Sequence, residues 1–293
     1  MVLDEGDETK MDVYFSSTKE VISFCEQLFH YNKKIELHWK THEDWGNHLR
    51  IEYQQTDNEL VDSVVKSMVE VFVNHRLTNW IRDIIEQFYY YSNQDEIEKI
   101  MDITHWLIAG EDEESVQVRK QKDDPLQLLY SLFVSNVKNT TTVHFESIVK
   151  FRLKVFKEYL VNMVGLAIDE YKREEDHQEF VNMLREYIAK KEPVYNVVHI
   201  LQGKTFSFFK SDGKKFSRIE LKMLMQKEPL YIVGLDADEL NLAPLVAMAP
   251  KKIKIYGDYP SEPKTLTVIN VFQERVDFEP FHKFPFPIYL KNQ

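Results

Sequence analysis

A long apolar stripe between Val143 and Pro193 constrains the fold more than any other feature of this chain. Apolar side chains recur there with the three- and four-residue spacing that keeps one face of an α-helix apolar, and a second such run follows at 180–188. The first run occupies positions 145, 148, 149, 153, 156, 160, 163, 164, 167, 168 and 171. The two runs predict a helical hairpin that ends at Glu192, because a residue before proline is pushed out of the helical conformation.

Different patterns flank this helical region and predict a chain of three parts. Residues 1–55 have the order strand, helix, strand, strand, which indicates a small β-α-β-β unit. Residues 56–192 are mainly helical in spacing, and residues 193–293 alternate short apolar strands with helices. The predicted elements of this last part are strands at 194–201, 205–209, 215–221, 230–234, 252–256 and 276–278, and helices at 238–249 and 264–273. We therefore predict an α/β (α+β) protein with a large helical middle and a mixed sheet in its C-terminal α/β portion.

The composition disfavours several classes of protein. A net charge of -11 opposes binding to the phosphates of DNA or RNA and to anionic membrane surfaces. The single cysteine, Cys25, cannot form an intramolecular disulfide, which fits a reducing compartment. The acidic N-terminus lacks the features of a signal peptide, and no apolar stretch reaches the roughly 18 residues of a membrane span. We expect a cytoplasmic protein without a membrane span, for which nucleic acid is a disfavoured partner.

His38, His42 and His48 form the densest group of potential metal ligands, across a predicted strand pair and its turn. A zinc site needs three or four ligands that converge at about 2 Å from the metal. The spacing of these histidines matches no compact zinc pattern, and histidine is common on exposed turns. We therefore prefer the ordinary interpretation, in which these histidines lie on a solvent-exposed strand pair and its turn. No metal or other cofactor is predicted.

Asp236 and Asp238 directly follow the predicted strand 230–234. Two carboxylates at the end of a strand resemble the start of a phosphoryl-transfer site, where Mg²⁺ offsets phosphate charge. The alternative is helix capping, in which these carboxylates accept hydrogen bonds from the first N–H groups of the predicted helix 238–249. The chain contains none of the motifs G-x-x-x-x-G-K-[ST], G-x-G-x-x-G, G-x-S-x-G and H-E-x-x-H, which favours capping over nucleotide chemistry.

Arg152, Lys154 and Lys157 lie on the polar side of the predicted long helix. Together they offer a surface for an acidic partner or a phosphate group. The ordinary interpretation is a solvated face whose positive charges are balanced by neighbouring Glu and Asp side chains.

Several short segments in the second half of the chain resemble the YtxC family of sporulation proteins, over roughly residues 140–280. The matching residues are Phe151, Arg152, Leu153 and Lys154; Asp169, Glu170 and Tyr171; Phe180, Leu184 and Arg185; Pro193 and His199; and Ala249, Pro250, Lys251 and Lys252. The chain departs from the family pattern at Phe156, where tyrosine is expected, and at Gly165, where a larger residue is expected.

The resemblance implies a cytoplasmic protein of endospore-forming bacteria, and it implies no reaction, cofactor or catalytic residue. We interpret the chain as a sporulation-associated protein without an identifiable catalytic site, which acts through contacts with an unknown protein partner. Two alternatives stay open. One is a Mg-dependent phosphoryl-transfer or nucleotide-binding protein that uses Asp236 and Asp238, and the other is a nucleic-acid-associated factor that uses the basic side of helix 145–171.

Overall fold

A computed structural model describes residues 9–43, 46–53, 57–110, 113–119, 124–236 and 238–287. The chain divides into two compact units, Met1–Lys172 and Arg173–Gln293. The described elements up to the boundary are β1 (Thr9–Phe15), α1 (Thr18–Tyr31), β2 (Ile35–His42), β3 (Gly46–Tyr53), α2 (Asp57–Phe72), α3 (Thr78–Asp83), α4 (Gln94–Ala109), α5 (Glu113–Arg119), α6 (Pro125–Val137), β4 (Thr142–His144), α7 (Phe145–Phe151) and α8 (Lys154–Ala189). Those after it are β5 (Val197–Leu201), β6 (Ser207–Lys210), α9 (Arg218–Gln226), α10 (Ala243–Met248), β7 (Lys252–Tyr256), α11 (Pro263–Phe272) and β8 (Val276–Glu279). The predicted α/β class with a large helical middle is confirmed.

The first unit contains a four-stranded sheet in the order β2-β3-β1-β4. Strand β3 is antiparallel to both β1 and β2, so α1 connects two parallel strands that have β3 between them, as in a split β-α-β motif. Strand β4 adds to the free edge of β1 in parallel orientation. Alternate residues of β1 and β3, including Val13 and Leu49, are fully buried, and α1 and α2 contribute Phe24 and Val64 to the same core. The sheet therefore has one apolar face and one polar face, and the predicted β-α-β-β unit is confirmed.

Two π-helical turns, Val73–Leu77 and Ile84–Phe88, lie on either side of α3. The sequence pattern suggests a break near residues 74–79, and the structure has the first of these turns at that place. The turn carries Arg76, whose guanidinium donates hydrogen bonds to the buried carboxylate of Glu20 and, at 2.9 Å, to Glu146. The hydrogen bond to Glu20 raises the pKa of Arg76. The wider π-helical turn thus positions the guanidinium of Arg76 between carboxylates on α1 and α7.

The predicted helical hairpin is wrong. Helix α7 ends at Phe151, the chain turns at Arg152, and α8 then continues without interruption for 36 residues. The apolar stripe on its first half is buried as predicted, with Phe156 and Leu160 fully shielded from solvent. No turn separates the two apolar runs, because the residues between them, 172–179, include neither Gly nor Pro and favour helix.

The boundary between the two units falls within α8. It lies at the start of the segment 172–179, in which all eight residues are exposed. A helix segment that is polar on every side is typical of a solvated connection. The predicted division into 1–55, 56–192 and 193–293 stays a prediction about independent domains.

The second unit contains a sheet in the order β6-β5-β7-β8. Strands β5, β7 and β8 are parallel, and β6 is antiparallel to β5. Fully buried residues of β5 and β7, among them Ile200 and Ile255, pack with the wholly buried helix α10 and with α11. The C-terminal segment also packs on this unit, because Phe284 contacts the ring of Tyr256 at 5.2 Å between centroids.

Three predictions in this unit are wrong in detail. The predicted strand 230–234 is a 3-10 helix, Leu230–Val233, which ends at Gly234 in the left-handed conformation. The predicted strand 215–221 gives way to α9, because Ser217 and Glu220 form a reciprocal capping box that starts a helix. The predicted helix 238–249 is shortened to α10. In each case local hydrogen bonding at a turn decides the structure where apolar spacing is ambiguous.

Candidate functional site

His38, His42 and His48 all lie on the first sheet, where the register places their backbones opposite Arg50, Gly46 and Lys40 respectively. They share the polar face of β2 and β3. His38, Lys40 and His42 lie on one face of β2 because alternate residues of a strand point the same way, and His48 on β3 lies directly opposite Lys40. The structure gives His48 a defined partner: its Nε2 lies 2.7 Å from Oδ1 of Asp12 on β1. Arg50 donates to the same oxygen at 3.0 Å.

This arrangement sets the charge of Asp12. Burial raises the pKa of Asp12, but the hydrogen bonds from Arg50 and His48 outweigh it, and the pKa of this carboxyl lies below its usual value. Next to it, Tyr14 stacks between two imidazole rings, at 4.7 Å from His48 and 4.6 Å from His144. No sequence pattern points to His144, because only the parallel pairing of the short strand β4 with β1 brings it here.

His38 belongs to a different group. Among the residues that the structure describes, Glu36, His38 and Glu52 are the three potential ligands whose donor atoms lie within 4.8 Å of one another. Glu52 also pairs with Lys10 at 3.5 Å. The structure therefore does not bring His42 and His48 together with His38 into one ligand set. An exposed set of this kind is ordinary on a strand pair and by itself defines no metal site.

Asp236 and Asp238 follow the 3-10 helix, so they do not stand at the end of a strand. Asp236 accepts a hydrogen bond from the backbone N–H of Asp238 at 3.1 Å, and Asp238 pairs with Lys222 at 3.3 Å. The start of α10 is capped instead by Glu239, whose carboxylate accepts from the N–H groups of Leu242 and Ala243 at 2.6 and 2.7 Å. Carboxylate capping thus occurs here, through a neighbour of the two predicted residues.

Among the described residues, the parallel strands of the second sheet do not show the reversal of strand order at which open α/β proteins bind nucleotides. Such ligands bind where the strand order reverses direction. Here β5, β7 and β8 follow one another in a single direction across the sheet, within the described residues. Gln202, just beyond β5, bonds the backbone of Tyr259 and the side chains of Glu262 and Thr265, and it lines a pocket of about 260 Å³ at the strand ends.

The basic residues Arg152 and Lys154 lie at the junction of α7 and α8, and Lys157 lies one turn further. Lys154 is among the most exposed side chains here, at 85%. Lys157 instead places its ammonium 5.8 Å from the centre of the Trp80 ring. Two large apolar side chains are exposed beside these charges: Phe151 at 75% and Val155 at 54%. We call residues 150–155 the basic corner; the buried Leu153 anchors it to the core.

A groove of about 980 Å³ lies on the first unit, between the segment after the second π-helical turn and the middle of α8. Its lining includes Tyr89, Tyr90, Tyr91, Glu96, Leu166, Asp169 and Lys172. We call this feature the tyrosine groove. Burial, with the nearby charge of Asp169, raises the pKa of Tyr89.

Gly165 explains how the groove is built. The Tyr89 hydroxyl donates a hydrogen bond to the carbonyl of Val161 on α8 at 3.0 Å. A Cβ atom on residue 165 would stand 2.6 Å from that hydroxyl oxygen, which is closer than real contacts allow. The glycine, which departs from the family pattern, therefore leaves the room that Tyr89 needs.

The structure defines a mixed α/β protein in which His38 is not grouped with His42 and His48, and in which Asp236 and Asp238 follow a 3-10 helix. None of its described helices has the length and apolar content that a membrane crossing requires. The model of the YtxC-like family matches residues 62–277, so the chain belongs to this family, and the resemblance is confirmed. The chain is also 29% identical over 226 residues to the uncharacterized protein YtxC of Bacillus subtilis (strain 168). This alignment covers 74% of the present chain and 76% of the Bacillus protein. No solved structure matches the chain significantly.

The matched region contains both the basic corner and the tyrosine groove, whereas β1–β3 precede it. Some residues that carry the resemblance have structural roles. Arg185 donates two hydrogen bonds to the carbonyl of Asn270 near the end of α11, at 3.0 and 2.8 Å. His199 is buried on β5 with its Nδ1 3.0 Å from the Tyr256 hydroxyl, and burial lowers the pKa of His199. Others, including Phe151, Arg152 and Asp169, are exposed and need another explanation.

Proposed function

We propose that this chain is a non-catalytic cytoplasmic protein that acts through contacts with a protein partner during sporulation, and that the basic corner is its contact surface. The observation that carries this proposal is the exposure of Phe151, at 75%, between the positive charges of Lys150 and Arg152. An exposed aromatic side chain gains nothing from the fold, and aromatic and arginine residues are enriched where proteins bind one another.

The charges at the corner indicate the chemistry of the partner. The chain as a whole has a net charge of -11, so a cluster of Lys150, Arg152 and Lys154 stands out locally. Lys150 is held by Glu146 at 3.2 Å and Lys154 lies near Glu158 at 3.8 Å, whereas Arg152 has no such carboxylate among the described residues. A partner surface with an apolar pocket and a carboxylate for Arg152 fits this corner.

Charge reversal tests the contact. Full-length protein with Arg152→Glu and Lys154→Glu should lose at least tenfold in affinity for a partner that the wild type captures from sporulating cells and binds again as a purified protein. The matched control reverses Lys190 and Lys214, which are 80% and 79% exposed and lie far from the corner in sequence. The control should bind like the wild type. Equal binding by wild type, corner variant and control would refute the basic corner as the contact surface.

The sporulation role is tested separately. Deletion of the gene in an endospore-forming host should lower the number of heat-resistant spores, and expression of the wild-type chain should restore it. The corner variant should fail to restore spores although it accumulates to the wild-type level. Normal spore counts in the deletion strain would contradict a role in sporulation while leaving the binding experiment intact.

The two alternative functions have their own tests. Titration with Mg²⁺ and a panel of nucleotides should leave the melting temperature unchanged, because Asp236 and Asp238 lie in a turn and not at a strand end. Any DNA binding through the corner should weaken steeply as salt rises, since each phosphate contact releases counterions. A nucleotide-dependent rise in melting temperature would favour the phosphoryl-transfer alternative.

A further inference from the structure

The tyrosine groove has features that neither the fold nor the proposed contact surface requires. Tyr90, at its rim, has a φ of 60° and is 83% exposed. It occupies the left-handed position that ends the second π-helical turn, because the next N–H, that of Tyr91, bonds back to the carbonyl of Ile85 at 3.2 Å. Glycine is the usual residue at such a position, since a side chain there is strained. A strained and exposed tyrosine is therefore unexplained by folding.

The neighbouring residues give the groove a fixed wall and an apolar floor. Tyr89 is held by its hydrogen bond to Val161 and fits only because residue 165 is glycine. The floor contains the partly buried Leu166 and the buried Met163 of α8. Neither wall nor floor depends on a ligand for its position, so the groove is formed in the unbound protein.

The charged groups at the groove are mainly acidic. Asp169 is exposed on α8, and Glu96 is half-buried on the facing helix α4. Lys172 is the one cation among the described lining residues and lies at the last position of the first unit. A nearby pair shows the chemistry that such a surface favours, because the ammonium of Lys99 lies 5.6 Å from the centre of the Tyr171 ring.

We propose that the tyrosine groove binds a basic peptide segment of a partner protein, with an arginine or lysine head placed over the ring of Tyr90 and paired with Asp169. The aliphatic part of that side chain would contact Leu166, because long basic side chains cover apolar surface with their methylene groups. Aromatic faces and carboxylates together select a cation over a neutral or acidic group. This site is separate from the basic corner and has the opposite charge preference, so the two surfaces take different ligands.

Peptide selection tests the proposal even while the partner is unidentified. Random heptapeptides displayed on phage are selected against the immobilised full-length chain, and the enriched peptides are measured by fluorescence polarisation. We expect the enriched sequences to contain Arg or Lys beside an apolar residue. Replacing that arginine by the neutral isostere citrulline should weaken binding at least tenfold. An enriched set without Arg- or Lys-containing sequences, or no enrichment at all, would overturn the proposal.

Two variants then locate the site. Asp169→Asn and Tyr90→Gly should each weaken peptide binding at least fivefold, whereas Arg152→Glu at the basic corner should leave it unchanged. Tyr90→Gly should also keep or raise the melting temperature, by up to about 4 °C, because it relieves the left-handed strain. A fall in melting temperature would mean that Tyr90 serves the fold. Unchanged binding in both groove variants would likewise refute the site.

Discussion

The two parts of α8 have the same secondary structure for different reasons. In residues 154–171 an apolar stripe is buried, with Phe156, Leu160 and Val164 fully shielded from solvent. In residues 172–179 all side chains are exposed, and the segment relies on helix-favouring residues and local pairs such as Gln178 with Glu174 at 2.7 Å. A segment this short is marginal alone, so its helix depends on the packed turns at either end. An apolar stripe thus identifies which face is buried, but its interruption does not show that the helix ends.

The largest expected difference between the two parts comes from side-chain truncation. Phe156→Ala removes a fully buried ring that packs against Phe72, with centroids 5.8 Å apart, and should lower the free energy of unfolding by about 3–5 kcal/mol. His177→Ala, in the exposed part, should change it by less than about 0.5 kcal/mol. Urea denaturation followed by circular dichroism measures both, and equal effects would contradict the comparison.

Proline distinguishes a continuous helix from a turn in the exposed part. His177→Pro should destabilise by about 3 kcal/mol and reduce helical circular dichroism, because proline removes a helical N–H and clashes with the preceding turn. His177→Ala is the matched control for loss of the side chain. If residues 172–179 formed the turn of a hairpin, proline would be tolerated, and the two variants would unfold at the same urea concentration.

A smaller effect concerns the buried part, at Gly165. Gly165→Ala should destabilise the wild type by about 1–2 kcal/mol, because the new methyl group meets the Tyr89 hydroxyl at 2.6 Å and displaces its hydrogen bond. In a Tyr89→Phe background the hydroxyl is gone, and the ring carbon that carried it lies at 3.6 Å, an ordinary contact. There the same substitution should stabilise by up to about 1 kcal/mol, the helix preference of alanine over glycine. A double-mutant cycle without this change of sign would show that the hydroxyl does not select glycine.

The smallest effect concerns the capped N-terminus of α9. In α9, hydrogen bonds from Lys210 and from the backbone of Ser217 lower the pKa of Glu220 to about 2. A lowered pKa in the folded state contributes stability above the ordinary value of 4.5, and this contribution is lost as the pH falls from there through about 2. We expect NMR signals of α9 to report fraying over this range. Glu220→Gln should remove that pH dependence, and a titration midpoint near 4.5 in the wild type would contradict the capping interaction.

The sequence predicts the fold best where local signals agree. An apolar stripe preceded by Ser17 or Thr18 as the N-cap predicts a helix over residues 18–31. Helix α1 has these bounds with Ser17 at the N-cap position, although the Ser17 side chain makes no capping hydrogen bond. The apolar run at residues 230–233 predicts a strand but forms a 3-10 helix, since four apolar residues in a row fit either structure. The sequence suggests a break near residues 74–79 but does not show that it is a π-helical turn, or that this turn brings Arg76 to its partners on α1 and α7.

Local sequence signals also predict only part of each candidate site. Arg152 and Lys154 could be selected from the sequence as a basic surface, but the exposure of Phe151 beside them depends on where α7 ends. The run Tyr89–Tyr91 is typical of packing residues when only the sequence is considered. Its role in a groove requires the placement of α8 opposite it, through a contact between residues 72 positions apart in sequence.

Helical continuity through residues 172–179 is measured most directly by the ¹³Cα chemical shifts of the full-length protein. Every residue of this segment should have a helical shift, joined without interruption to those of the buried part of α8. Amide exchange in the same sample should be slow for 156–168 and fast for 172–179, because only the first stretch is buried on one face. Random-coil or turn shifts at two or more consecutive residues of 172–179 would contradict the single helix.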